Sequence, residues 1–202
     1  MGNRGRFGKY GETKRLDRLR GSGTRDVPYK GSGAGEYPSS KEGFHRKGRF
    51  ATRPARRSDK GFIAQLSGKV FSVYGPYRDM VSQWFATGMT VTRIALMGGS
   101  PVGFAMVGRW LREGSGESVC ELLAIAVEPD RQQQGIGRRL LQEIEAEAEQ
   151  LGEKALLLHT AAENLAAQKL FSKAGYRTCG MKRNFYPAGQ HALMMCKEKK
   201  EG

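Results

Sequence analysis

The middle of the chain holds an uninterrupted apolar run, Leu122 to Val127, too short for a core helix and stopped by Pro129-Asp130, which predicts a buried strand. Beyond a polar loop, apolar residues recur at Ile136, Leu140, Leu141, Ile144 and Ala148, the spacing of one helix face, until Leu151-Gly152. Ala155 to Leu158 is a second buried strand. Glu163-Asn164 then opens a helix carrying Leu165, Ala166, Leu170, Phe171 and Ala174 before Gly175, and a last strand lies near Ala192 to Cys196. Upstream, Phe62 to Tyr74 reads as extended. Tyr77 to Thr87 has helical spacing through Met80, Val81, Trp84 and Phe85, and Gly88 closes it. Val91 to Met97 and Val102 to Leu111 flank Gly98-Gly99-Ser100-Pro101, a hairpin signal, and Gly114-Ser-Gly116 leads into the central strand. The pattern predicts an α/β fold: three sequential antiparallel strands, then strand–helix–strand–helix and a final strand.

Charge divides the 202 residues unevenly. Met1 to Lys60 holds seventeen Lys/Arg against six Asp/Glu, a net +11, whereas Gly61 to Gly202 contributes +3 of the total +14. Residues 1–60 are rich in Gly and Ser and poor in aliphatics, with too little apolar surface to offset the entropy of ordering. We therefore expect a disordered basic tail over 1–60 and one folded domain over 61–202. Asn3 to Tyr10 and His45 to Phe50 interleave cations with aromatics, which suits either contact with RNA or the ribosome, or a solubilising extension. No apolar stretch reaches the length of a signal peptide or a membrane span, so a cytoplasmic protein with no membrane contact is expected. Cys120, Cys179 and Cys196 form no C-x-x-C pair and His45, His159 and His191 are scattered, so reduced thiols and no metal are expected.

Gly135-Ile136-Gly137 joins the central strand to its helix. Without Cβ atoms the loop backbone can turn its N–H groups towards one point, and the helix N-terminus adds unpaired N–H groups and its positive dipole end. Such a junction holds phosphate. It is neither a Rossmann fingerprint, since Leu140 stands where the third glycine belongs, nor a Walker loop, which needs G-K-[ST].

Gln132-Gln133-Gln134-Gly135-Ile136-Gly137 does match Q/R-x-x-G-x-G/A, and the chain here resembles the GNAT N-acetyltransferase superfamily. Asn164 through Gly175-Tyr176 is similar to that superfamily's N-x-x-A-x-x-[LF]-[YF]-x-x-x-G-[FY] segment, and Met181 to Pro187 looks like the R-R-N-Y-Y-P stretch of the bacterial ribosomal-protein alanine N-acetyltransferases. The resemblance covers roughly Phe62 to Lys197. It implies a GNAT fold: a mixed, mostly antiparallel sheet flanked by helices, whose central strand splays from its neighbour. It also implies acetyl-CoA as co-substrate, with Ile125, Ala126 and Val127 contacting the acetyl carbonyl and pantetheine, Gln132, Gln133, Gln134, Gly135, Ile136, Gly137 and Arg138 around the pyrophosphate, and Asn164 near the pantetheine or thiol. Asn164 is equally a helix N-cap.

Two residues compete for the role of base. Glu121 begins the central strand where the histone-type enzymes carry a glutamate, and an alternating strand would put it on one face with Ile125. His159 ends the next strand where the ribosomal-protein enzymes place a catalytic glutamate, and imidazole titrates near neutrality. The resemblance puts Phe171 beside the cofactor where those enzymes have a tyrosine acid. Either the thiolate then leaves unassisted, its pKa being below that of the amine, or another hydroxyl serves, Tyr176 and Tyr186 being the nearest by resemblance; Tyr186 also suits the acceptor groove. The resemblance implies transfer of acetyl from acetyl-CoA to a protein amine, an N-terminal α-amine or a lysine, by direct attack in a ternary complex. The rival expectations are a small-molecule amine acetyltransferase and a catalytically weak GNAT-like protein that binds ribosomes or nucleic acid.

Overall fold

The structure is a computed structural model, and it describes residues 49–111, 118–150, 152–153 and 155–198. Seven strands form one sheet: β1 (Phe50–Pro54), β2 (Thr90–Met97), β3 (Ser100–Leu111), β4 (Ser118–Val127), β5 (Ala155–Ala161), β6 (Arg177–Lys182) and β7 (Ala192–Glu198), in the order β1-β2-β3-β4-β5-β7-β6. Every neighbouring pair is antiparallel except β4 and β5. Four α-helices, α1 (Lys60–Phe71), α2 (Tyr77–Ala86), α3 (Ile136–Gln150) and α4 (Leu165–Lys173), flank it.

The sheet separates two cores. Ile136, Leu140, Leu141 and Ile144 of α3 and Phe171 of α4 pack on Ala105, Val107, Cys120, Leu122, Leu156, Leu158 and Met195. On the other face Ile63 and Leu66 of α1 and Val81 of α2 cover Ile94, Phe104, Met106, Ala124 and Ala126. Strands buried on both faces lose their polar alternation, which is why the sequence shows continuous apolar runs here.

Phe62 to Tyr74 is not extended. Residues 60–71 form α1, and Ile63, Leu66 and Ser67 are its buried positions, spaced as a helix face requires. Gly68 sits where an added Cβ would stand 3.3 Å from Arg78 Cβ, so its small size lets α1 and α2 approach closely. The β-rich composition of Phe62, Ile63, Val70 and Phe71 is overridden by this packing.

Order also begins earlier than the composition of residues 1–60 indicates. β1 pairs along β2 from Phe50↔Met97 to Pro54↔Arg93, and Arg53 makes a two-pronged ion pair with Asp59 at 2.7 and 2.8 Å. An edge strand needs only one partner, so this polar segment is ordered by its neighbour rather than by burial of its own. The expectation of disorder for residues 1–48 and the Gly114-Ser-Gly116 connection lie outside the described residues. β6 carries no apolar alternation, five of its six residues being exposed, and pairing with β7 alone defines it.

Candidate active site

β4 and β5 are paired through only three residue pairs, Cys120↔Leu156, Glu121↔Leu157 and Leu122↔Leu158. Beyond them β4 runs on to Val127 along β3 while β5 runs on to Ala161 along β7. The strands part, and a wedge opens between residues 123–127 and 159–161 whose β4 backbone has no sheet partner on that side.

A bulge sits at the apex. Val107 pairs with Leu122 but Met106 pairs with Ala124, which leaves Leu123 as an extra residue in β4. Cys120 and Leu122 face α3, and after the bulge Ile125 and Val127 do so instead of Ala124 and Ala126. Simple alternation therefore fails: Glu121 does not share a face with Ile125. It points to the α1–α2 side, together with Ala124 and Ala126.

The β4–β5 register brings the two base candidates together: Glu121 pairs with Leu157, and His159 lies two residues further on the same face of β5. His159 is on the same side of β5, and its Nδ1 lies 2.6 Å from Glu121 Oε1, with both side chains almost wholly buried. When Nδ1–H donates to the carboxylate, a neutral ring carries its lone pair on Nε2. Nε2 is buried and has no hydrogen-bond partner among the described residues. Phe185 stacks on the imidazole, with centroids 4.5 Å apart and planes 17° from parallel.

Aromatic side chains from two loops surround this pair. Tyr74 and Tyr77, beside α2, and Phe185 and Tyr186, between β6 and β7, pack on Ala161 and Ala192. Burial, and secondarily the Glu121 charge, push the Tyr77 hydroxyl well above the usual phenol range. The loops are tied together: Ala188 N–H donates to Tyr74 O at 3.2 Å, and the Gln190 side-chain amide donates to Val73 O at 2.7 Å. Tyr186 packs within this cluster, against Tyr74, Tyr77 and Phe185. The sequence signal for Tyr74, Tyr77 and Phe185 is faint, consisting only of aromatics beside Gly75-Pro76 and Pro187.

Tyr176 is not brought to this groove. It is buried in the α3–α4 core beside Phe171, and burial, then Glu145, raises its hydroxyl far above the ordinary range. Phe171 is 3% exposed and packs in that same core. Asn164 caps α4, its Oδ1 accepting from Ala167 N–H at 3.0 Å.

The loop before α3 has the form a phosphate needs. Gln132 is spent on the fold, its side-chain amide donating to Val127 O at 3.1 Å, and Gln134 similarly reaches Asp130 O at 3.4 Å. Gln133 and Gly135 take left-handed backbone angles, φ 60° and 82°. Among the described residues, no acceptor meets the backbone N–H groups of Gln133 to Arg138. An added Cβ on Gly137 would point between β4 and α4, 3.5 Å from Leu170 and 3.9 Å from Val127. Six unpaired amides at the mouth of the wedge, with exposed Arg138 and Arg139 alongside, fit a diphosphate. Among the described residues no three His, Cys, Asp or Glu side chains group as a metal site.

Comparison with known proteins agrees with this architecture. Over 66 residues the chain is 42% identical to the [ribosomal protein bS18]-alanine N-acetyltransferase of Escherichia coli K12, a match covering 33% of this chain and 45% of that protein. The chain thus spans less than half the length of the curated relatives it matches. The crystal structure of the ribosomal-protein-S18-alanine N-acetyltransferase from Escherichia coli superposes with a TM-score of 0.62 at 23% identity, covering 76% of this chain and 96% of that one. A Salmonella typhimurium structure solved with its cofactor acetyl-CoA superposes with a TM-score of 0.65 at 18% identity, over 76% and 96% of the two chains. At these identities the superpositions establish the fold. The sequence model of the acetyltransferase (GNAT) family matches residues 56–176, well over half of the chain, and this protein belongs to that family.

Proposed function

We propose that this chain is an acetyl-CoA-dependent N-acetyltransferase that acts on a protein amine, with an N-terminal α-amine as the acceptor the groove fits best. The observation that carries the reading is the buried Glu121–His159 pair beside the parted strands, with Nε2 of His159 unpartnered. A base next to an opened strand edge and a phosphate-type loop is the set of parts amine acetylation needs.

Acetyl-CoA supplies the reactive thioester when bound. Around it, the amides of Gln133 to Arg138 hold the diphosphate, and the unpaired stretch from Ile125 to Val127 offers backbone N–H groups to the acetyl carbonyl oxygen. His159 Nε2 takes the proton of the acceptor amine. Glu121 keeps Nδ1 protonated and stabilises the imidazolium that results, as a carboxylate behind a histidine does in other general-base pairs. With acceptor and donor held together the amine would attack the thioester carbonyl directly, the C–S bond breaking as the C–N bond forms, and the thiolate would leave unassisted because its pKa is below that of the amine. A route through an acyl-cysteine at Cys120 is disfavoured, because that residue is buried on the α3 face and burial pushes its thiol up to about 11.

The tied loops support a chain end over a lysine. They bridge the groove from Tyr74 to Ala188 and from Val73 to Gln190, which narrows the approach to the dyad. The relative's activity on the alanine of a ribosomal protein points the same way. Incubation with acetyl-CoA and peptides that carry either a free α-amine or one internal lysine with a blocked N-terminus, read by intact mass, tests this. Mass gain on the free α-amine alone is expected; gain on the lysine peptides alone, or on neither, overturns it.

A further inference from the structure

We infer that Phe185 is a positioning residue that acts through His159. The inference rests on the acetyl-transfer reading above. The single hydrogen bond from Nδ1 to Glu121 holds one ring nitrogen but does not by itself fix the ring plane about Cβ–Cγ, on which the direction of Nε2 depends. A flat neighbour removes this freedom. Phe185 lies 4.5 Å from the imidazole with planes only 17° apart, so rotation of the ring would drive its edge into the phenyl face. Phe185 is itself fixed from several sides. Tyr186 meets it edge-on at 5.1 Å, the Lys182 ammonium lies 5.3 Å from its centroid, and its loop is bonded to the Tyr74 loop through Ala188. With Phe185 stacked on the imidazole, Nε2 is buried and unpartnered among the described residues. Glu121 sets the tautomer, and Phe185 sets the plane.

A double-mutant cycle on the full chain tests this, using acetylation of a peptide with a free α-amine. Phe185→Leu, or Phe185→Met as a second variant that keeps volume without a flat face, should lower kcat roughly 10- to 100-fold while KM for acetyl-CoA stays unchanged. Phe185→Tyr, which keeps the flat face, should restore kcat. In a His159→Gln background, Phe185→Leu should cause no further loss, because the residue it positions is gone. Equal losses in both backgrounds, or wild-type kcat in Phe185→Leu and Phe185→Met, overturn the inference. If His159→Gln alone keeps wild-type kcat, the base assignment fails first, and that outcome is separate from the others.

Discussion

At the scale of single residues, the 2.6 Å contact between Glu121 and His159 joins the two base candidates, and the proposed function ranks them. His159 presents the free lone pair, whereas Glu121 acts at the far nitrogen. His159→Gln should therefore lower kcat by roughly 10²–10⁴-fold, and Glu121→Gln should cost less, with acetyl-CoA affinity preserved in both. Steady-state kinetics with calorimetry checks this; a larger loss in Glu121→Gln would make the carboxylate the base. Gly137 offers a second test, since an added Cβ would lie between β4 and α4, 3.5 Å from Leu170 and 3.9 Å from Val127, without a steric clash. Gly137→Ala should stabilise the fold by up to about 1 kcal/mol through helix propensity. The same methyl group stands where the diphosphate approaches, so acetyl-CoA affinity should fall roughly tenfold, about 1.4 kcal/mol. A raised melting temperature with unchanged Kd would remove the phosphate assignment from this loop.

At the scale of elements, β1 is the informative segment because it lies inside a stretch whose composition reads as a tail. Phe50 packs under Arg139, whose guanidinium is 5.4 Å from the ring centroid, and Arg53 locks the strand to the turn before α1 through Asp59. A chain starting at Arg49 should melt like the full chain, while one starting at Gly61 loses an edge strand and should melt several degrees lower by calorimetry; equal melting temperatures would show that β1 contributes nothing. The hydrogen bonds from Arg53 hold the Asp59 carboxyl below the usual carboxylate range, outweighing burial. A depressed folded-state pKa gives stability that is present above the unfolded value of about 3.9 and is lost as pH falls through the folded value. Asp59→Asn should lower the melting temperature at neutral pH and flatten its decline in acid. An unchanged pH slope would exclude the pair as a source of that decline.

At the scale of the whole molecule, the charge is segregated: residues 1–60 carry +11 of the +14. A basic segment of this kind binds polyanions by releasing counterions, so affinity falls linearly in logarithmic plots against salt. The chain starting at Arg49 should bind RNA more weakly and with a shallower salt slope than the full chain, while its acetyl-CoA affinity stays the same. Fluorescence anisotropy over a salt series measures both slopes. Equal slopes would place the polyanion contact on the folded domain.

Periodicity and punctuation were enough to read α3, α4, β2, β3 and the β4–loop–α3 junction, because each is specified locally by apolar spacing, a cap or a glycine. The loop proposed to hold phosphate could be singled out for the same reason, since backbone N–H groups that the order of glycines and a helix start determines would do the binding. Composition misled where neighbours decide. α1 contains β-formers that helix packing overrides, β1 is polar and stands only against β2, and β6 is exposed on both faces. The catalytic arrangement needed tertiary structure most of all. One extra residue at Leu123 reverses which side of β4 faces which core, and nothing in the apolar run from Leu122 to Val127 marks it. That reversal separated Glu121 from Ile125, while the pairing of Glu121 with Leu157 set it against His159, two residues further along β5. The sequence determined which groups were available, and the register of β4 against β5, with the bulge beyond it, decided which of them meet, because side-chain direction in a strand depends on register with its neighbours.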